Sequence, residues 1–300
     1  MCTSPIQAWQ TVSGDVLFHE SARHDISRSL TLPCGQCGEC RLERSRQWAI
    51  RCMHEAQMHD ENCFLTLTYA DEHLPHDWSL DHRDFQNFVK RLRKSLGKKK
   101  IKFYMCGEYG EKFDRPHFHC VLFGHDFGDK YPWRKSPAGC LQYRSDELEK
   151  LWPFGNVEIG DVTFESAAYV ARYVMKKVNG FLAEHSGHYQ FCDLQTGELM
   201  SKRPEYNQMS KGLAKSWYEK YKDDVRNGDF VVVRGHQCKV PRYYDKLLQA
   251  EDPEEFELVK ARRAQRARDR FDPEEQTPER DAVRAKVLNA KLRYLKRELQ

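Results

Sequence analysis

Two histidines one residue apart, His117 and His119 in PHFHC, are the side chains of this sequence best suited to hold a metal ion. Alternate side chains of a strand share a face, so both imidazoles point one way while Phe118 and Cys120 point the other. Two imidazoles hold a divalent ion weakly, and an anionic third ligand should come from a neighbouring strand. Glu108 ends the preceding apolar segment, and a hairpin would return it to the start of the His strand; Glu111, in the turn, is a poorer substitute. A second group is Tyr169 and Tyr173 in AYVARYVMKK. Four residues apart on an expected helix, they stack on one face about 5–6 Å apart at Cβ. Both patterns have plainer readings: surface histidines among thirteen, and tyrosines packed with Ala168, Val170, Val174 and Val178.

Cys34, Cys37 and Cys40 (CGQCGEC) make two overlapping Cys-x-x-Cys turns whose glycines let the backbone curl, so that three thiolates can converge on one ion. Tetrahedral Zn2+ needs a fourth ligand, for which Cys2, Cys52 or His54 is available. The alternative is a tight loop of reduced thiols.

The elements that must position these residues follow from the apolar periods. Residues 63–69 (CFLTLTY) read as a strand rich in aromatic and β-branched residues. Phe85, Phe88, Val89, Leu92 and Leu96 mark an amphipathic helix over 81–96, closed by Gly97. Residues 101–108 and 117–123 read as a β-hairpin across the turn-rich GEKFDRP. A short helix over 145–152, a strand over 156–162 and a helix over 164–178 complete a β-α-β-β-α-β order with one added helix. That order is α+β and ferredoxin-like (RRM-like): an antiparallel sheet with helices on one face and the other left for a ligand.

This core, 63–180, is preceded by an extension (1–62) holding the cysteines and a basic helix near 41–59. An accessory region (181–250) without a clear period follows it, then a charged tail (251–300) expected as exposed helices or partly disordered chain. No repeat occurs. The net charge is only +4, but eight Lys and Arg residues lie between Lys90 and Lys102 without an acidic one, a run that suits phosphates or simply a solvated helix face. Eleven cysteines without a secretion pattern point to reduced thiols. No stretch reaches the roughly 18 apolar residues of a membrane span.

The Thr-containing apolar strand FLTLTY, the His-hydrophobic-His strand PHFHCVLFG and the Tyr-x-x-x-Tyr helix, in that order, resemble the three motifs of HUH replication initiators. The wording is most similar to initiators of the gokushovirus branch of the microviruses, which the CGQCGEC segment, the CGEYG turn and the Met1-Cys2 start also resemble. The likeness covers roughly residues 1–180. Arg172 stands where such initiators often carry lysine between the tyrosines, and Lys176 fills the third position after the second tyrosine.

The resemblance implies a rolling-circle initiator of the host cytoplasm that nicks single-stranded origin DNA. His117, His119 and Glu108 would hold Mg2+ or Mn2+, Tyr169 and Tyr173 would be the nucleophiles, and Lys176 would favour the phenolate. The chain has no G-x-x-x-x-G-K-[ST] loop, so a host helicase and polymerase are the expected partners. Two other readings use the same residues: a non-catalytic single-strand binder, and an iron oxygenase with a two-histidine, one-carboxylate triad.

Overall fold

The computed structural model describes residues 2–20, 23–110, 113–136, 139–172, 187–192 and 196–294. In chain order these form β1 (Ile6–Thr11), β2 (Val16–Leu17), β3 (Ile26–Leu32), α1 (Gly38–Ala56), β4 (Asn62–Thr68), α2 (His82–Leu96), β5 (Lys102–Tyr109) and β6 (Pro116–Phe123). Then come β7 (Tyr131–Lys135), β8 (Leu141–Arg144), α3 (Asp146–Leu151), β9 (Val157–Gly160), α4 (Phe164–Arg172), β10 (Gln190–Cys192), β11 (Leu199–Ser201) and β12 (Tyr206–Met209). The remainder is α5 (Lys215–Gly228), β13 (Val231–Val233), β14 (His236–Cys238), α6 (Arg242–Glu251), α7 (Pro253–Asp269) and α8 (Pro278–Tyr294). The chain divides into two compact units, residues 1–44 with 261–296, and residues 45–260.

The larger unit is built on a seven-stranded sheet in the order β12-β5-β6-β4-β9-β8-β7, with every neighbouring pair antiparallel. Its middle, β5-β6-β4-β9, is the ferredoxin-like arrangement that the β-α-β-β-α-β order implies, and the fold is α+β. Local signals set the boundaries. The Asp81 carboxylate accepts from the Arg83 N–H to start α2, and Gly97 ends it with φ of +58°. Ser145 caps α3 by accepting from the Leu148 N–H.

Strand alternation divides the apolar residues between two faces. Leu65, Leu67, Met105, Phe118 and Leu122 meet Phe85, Phe88 and Leu92 of α2 and Leu148 of α3, so the two helices internal to the series share one face. Phe64, Tyr104, Cys106, Val121 and Phe123 point the other way, where Ala49 and Cys52 of α1 and Ala167, Val170 and Ala171 of α4 cover part of the sheet. A further core joins Ile50 of α1 to Trp217 and Tyr218 of α5 and Tyr244 of α6.

Three strands of this sheet carry no sequence signal. β7 is exposed throughout, contains Pro132 and has a register shift between Pro132 and Arg134, so its apolar and polar residues do not alternate against a core. β8 is four residues long, and β12 (YNQM) is a half-buried edge. The expected tail appears as the helices α7 and α8. Among the described residues no helix is long and apolar enough to cross a membrane.

The segment after α3 is sewn to the end of β4. The Thr68 N–H donates to the Asn156 carbonyl at 2.9 Å, the Ala70 N–H to that of Phe154 at 2.8 Å, and Trp152 Nε1–H to that of Thr68 at 2.9 Å. Only glycine fits between them: a Cβ on Gly155 would lie 2.3 Å from the Ala70 nitrogen and 2.5 Å from the Thr68 oxygen. Gly155→Ala should therefore lower stability by about 1–3 kcal/mol or more, read as a reduced urea midpoint. A midpoint equal to that of the parent would contradict this packing.

Candidate active site

Glu108, His117 and His119 meet on the α1/α4 side of the sheet. The β5-β6 register sets Glu108 opposite His117 and Cys106 opposite His119, so the carboxylate stands beside one imidazole and diagonal to the other. Glu108 Oε1 lies 2.7 Å from His117 Nε2 and 3.1 Å from His119 Nε2. All three side chains are buried, and their ligand atoms lie within 4.8 Å of one another.

The opposite edge of each imidazole decides what this convergence means. His117 Nδ1 is 3.0 Å from the Arg115 carbonyl, which can only accept, so in the neutral ring the proton sits on Nδ1 and Nε2 presents a lone pair. That lone pair faces a carboxylate oxygen, and two acceptors at 2.7 Å repel unless a proton or a metal ion lies between them. His119 Nδ1 is 3.1 Å from Thr66 Oγ1, which turns its Nε2 to the same carboxylate. Where protons fill those gaps, hydrogen bonds and charge from His117 and His119 outweigh the burial that acts to raise the Glu108 pKa and hold it at about 2; a cation in their place would act in the same sense. Two imidazole nitrogens, each braced from behind, and one ionised carboxylate fit a divalent cation.

The braces belong to the fold. Arg115 Nε–H donates to the Tyr69 carbonyl at 3.0 Å and the guanidinium pairs with Asp71, which fixes the turn whose carbonyl holds His117. Thr66 is the direct antiparallel partner of His119. Neither role is visible in the sequence, because each depends on the β4-β6 register.

Tyr169 is nearly buried on α4, its ring edge-on to His119 at 5.1 Å between centroids and 6.5 Å from Phe64. The structure thus brings together Glu108, His117, His119 and Tyr169; Tyr173 and Lys176 lie outside the described residues. Of four aromatic residues that could have stacked on bases, Tyr104, Tyr109 and Trp152 are buried. Trp133 is exposed on β7, with the Arg144 guanidinium 4.8 Å above its ring. The basic run does not line the site: α2, which carries its first half, packs on the other face of the sheet.

The cysteine cluster closes with Cys2. Its thiol is 3.5 Å from that of Cys34 and 3.7 Å from that of Cys37, and the sulfurs of Cys2, Cys34, Cys37 and Cys40 all lie within 4.8 Å of one another. Burial acts to raise the thiols of Cys37 and Cys40; hydrogen bonds from Thr3 and Cys40 outweigh it at Cys37, which comes down to about 6, while Cys40 is pushed up to about 12. The other fourth-ligand candidates are engaged elsewhere. Cys52 is in the core of the larger unit, and His54 stacks on Trp217 with Nδ1 2.7 Å from the Tyr244 hydroxyl.

Residues 62–178, which span β4 through α4, match the replication-associated protein ORF2 family. The chain is 36% identical over 265 residues to the replication-associated protein VP4 of Bdellovibrio phage phiMH2K, covering 85% of this chain and 79% of that one. It is 35% identical to the replication-associated protein ORF4 of Chlamydia phage 1, over 77% of this chain and 57% of that protein. With the replication-associated protein ORF2 of Spiroplasma virus 4 it shares 30% identity over 86% and 83% of the two chains. No solved structure matches it. Its motifs, its fold and its similarity over most of its length agree, and the chain belongs to the family of phage replication-associated proteins.

Proposed function

We propose that this protein initiates rolling-circle replication by nicking single-stranded origin DNA and keeping the cut 5′ end on a tyrosine. The observation that carries this reading is the buried Glu108, His117 and His119 group with the Tyr169 ring beside His119. Glu108, His117 and His119 would hold Mg2+ or Mn2+, which when bound supplies positive charge beside a non-bridging phosphate oxygen. Imidazole ligands favour manganese, and abundance favours magnesium. Three protein ligands leave positions open for a phosphate. The four-cysteine cluster leaves none, and it takes no part in this reaction.

The nucleophile is Tyr169 or Tyr173. A phenol has a pKa near ~10, and Lys176 nearby would favour its phenolate. As the tyrosine oxygen bonds to phosphorus, the P–O3′ bond breaks and the phenolic proton is passed to O3′. The products are a 5′-phosphotyrosine and a free 3′-hydroxyl that primes synthesis. The linkage conserves the energy of the broken phosphodiester, so a later 3′-hydroxyl can attack it and rejoin the strand. With two tyrosines, one can hold the old end while the other cuts the regenerated origin. Residues 63–180 form the endonuclease core in this reading, and a host helicase and polymerase in the host cytoplasm supply unwinding and synthesis.

Incubating the full chain with labelled origin single strands and Mn2+ should give a covalent protein–DNA band on a denaturing gel. The double change Tyr169→Phe, Tyr173→Phe should remove the band, and His117→Ala should slow its formation about a hundredfold or more. A parent chain that binds the strand without forming an adduct would leave a binding protein in place of a nickase. An adduct that survives the double change would overturn the tyrosine assignment.

Thr66→Val keeps the side chain's shape and removes the hydroxyl that braces His119. Mn2+ affinity measured by calorimetry should fall roughly 10–100-fold while the melting curve stays near that of the parent. Unchanged affinity would remove Thr66 from the site.

A further inference from the structure

The three-stranded antiparallel sheet β2-β1-β3 and the start of α1 have almost nothing to hold them together by burial. Among the described residues of 2–44 only Ala8 and Thr11 are buried, while Val12 is 75% exposed and Phe18 64%. A segment that buries so little apolar surface ordinarily needs a covalent or metal cross-link to keep one conformation. The β1-β3 register pairs Ile6 with Leu32, so the chain enters and leaves this sheet side by side. Cys2 stands just before one end and Cys34 just after the other, and Cys37 and Cys40 carry the chain into the first turn of α1.

We propose that Cys2, Cys34, Cys37 and Cys40 form a closed tetrathiolate zinc site that pins both ends of the N-terminal three-stranded sheet to the start of α1. A zinc–sulfur bond of about 2.3 Å in a tetrahedron separates the sulfurs by roughly 3.8 Å. The Cys2 sulfur lies 3.5 Å from Cys34 and 3.7 Å from Cys37, and all four sulfurs fall within 4.8 Å of one another. A disulfide, at about 2.05 Å, would use only two of the four, and all four thiols are free.

The backbone also turns N–H groups toward the sulfurs. Cys34 Sγ accepts from the backbone N–H groups of Gln36 and Cys37, at 3.4 and 3.3 Å, and Cys2 Sγ accepts from the Cys34 N–H at 3.3 Å. Gly35, at φ of +74°, makes the turn that aims those N–H groups inward. Cys40 lies in the first turn of α1, so the helix start carries one of the four sulfurs. All four cysteines are half-buried, so an ion can enter from solvent. Sulfur ligands select zinc over the hard cation suited to Glu108, His117 and His119, and no fifth position remains for a substrate.

The full chain, purified without chelator, should carry one zinc per molecule by elemental analysis. Loaded with Co2+ instead, it should show the charge-transfer and ligand-field bands of tetrahedral cobalt thiolate. Those bands should persist in Glu108→Gln and in Cys192→Ser, which changes an exposed cysteine outside the cluster. They should be lost or shifted in Cys2→Ser, and lost in Cys37→Ser. In the parent chain, where no variant can misfold, a zinc chelator should speed tryptic cleavage at Arg23 and Arg28 severalfold. Zinc-free folded protein, iron in place of zinc, or cobalt bands that vanish with Glu108→Gln and survive Cys37→Ser would each overturn the proposal. None of these readouts depends on DNA nicking.

Discussion

A carboxylate oxygen and an imidazole lone pair 2.7 Å apart repel each other unless something positive sits between them, and the surroundings of Glu108 and His117 hold them in that position. The Arg115 carbonyl fixes the His117 tautomer, the β5-β6 register fixes the height of Glu108, and the sheet with its covering helices keeps water away. Burying a carboxylate costs several kcal/mol, whereas the same burial strengthens its attraction to a cation. What would weaken the empty site therefore favours the loaded one. The hydrogen bonds and positive charge that hold Glu108 well below the ordinary carboxylate range when protons fill the gaps to His117 and His119 are what a bound cation would supply in their place.

This requirement explains why the chemistry sits in the middle of the sheet. β6 has β5 on one side and β4 on the other, so one strand can offer two imidazoles to a carboxylate from β5 and a hydroxyl from β4. An edge strand would have a neighbour on one side only. The face that carries these groups must also leave a way in for a long, charged ligand. α2 and α3 take the opposite face, and with them goes the first half of the basic run between Lys90 and Lys102. Lys90, Arg93 and Lys94 lie on the exposed side of the amphipathic helix α2, whereas Lys102, on β5, pairs with the buried Glu55 of α1.

Periodicity made the positioning elements legible where they alternate against a core. β4, β5 and β6 bury one apolar set on each face, and the hairpin between the last two was enough to set Glu108 beside the histidines. β7, β8 and β12 carried no such signal because they extend the sheet at its edges, exposed or half-exposed and in one case interrupted by a bulge. The braces were hidden for a different reason. Nothing local distinguishes Thr66 from Thr68, and only the pairing of β4 with β6 sets the former against His119 and the latter against His117. Cys2 was one of several fourth-ligand candidates for the same reason: a contact across 32 residues depends on the antiparallel path of β1 and β3, and neither strand has a strong apolar pattern.

The two candidate metal sites differ in hardness and in closure, and the difference follows from where each sits. Four sulfurs converging beside a poorly buried three-stranded sheet can hold an ion that never needs to exchange, so a soft ion and a complete coordination shell suit a structural task. Two nitrogens and one oxygen in the centre of a sheet form an incomplete shell. An ion there is bound less tightly, and its occupancy depends on how rigidly the ligands are held before it arrives. Zinc would outcompete magnesium or manganese at such a nitrogen and oxygen site on intrinsic affinity alone. The choice of ion then rests on availability and on open positions that a phosphate can fill. The placement of His119 against Thr66 and of His117 against Arg115 contributes in the same way, because ligands already turned inward lose little entropy when the ion binds.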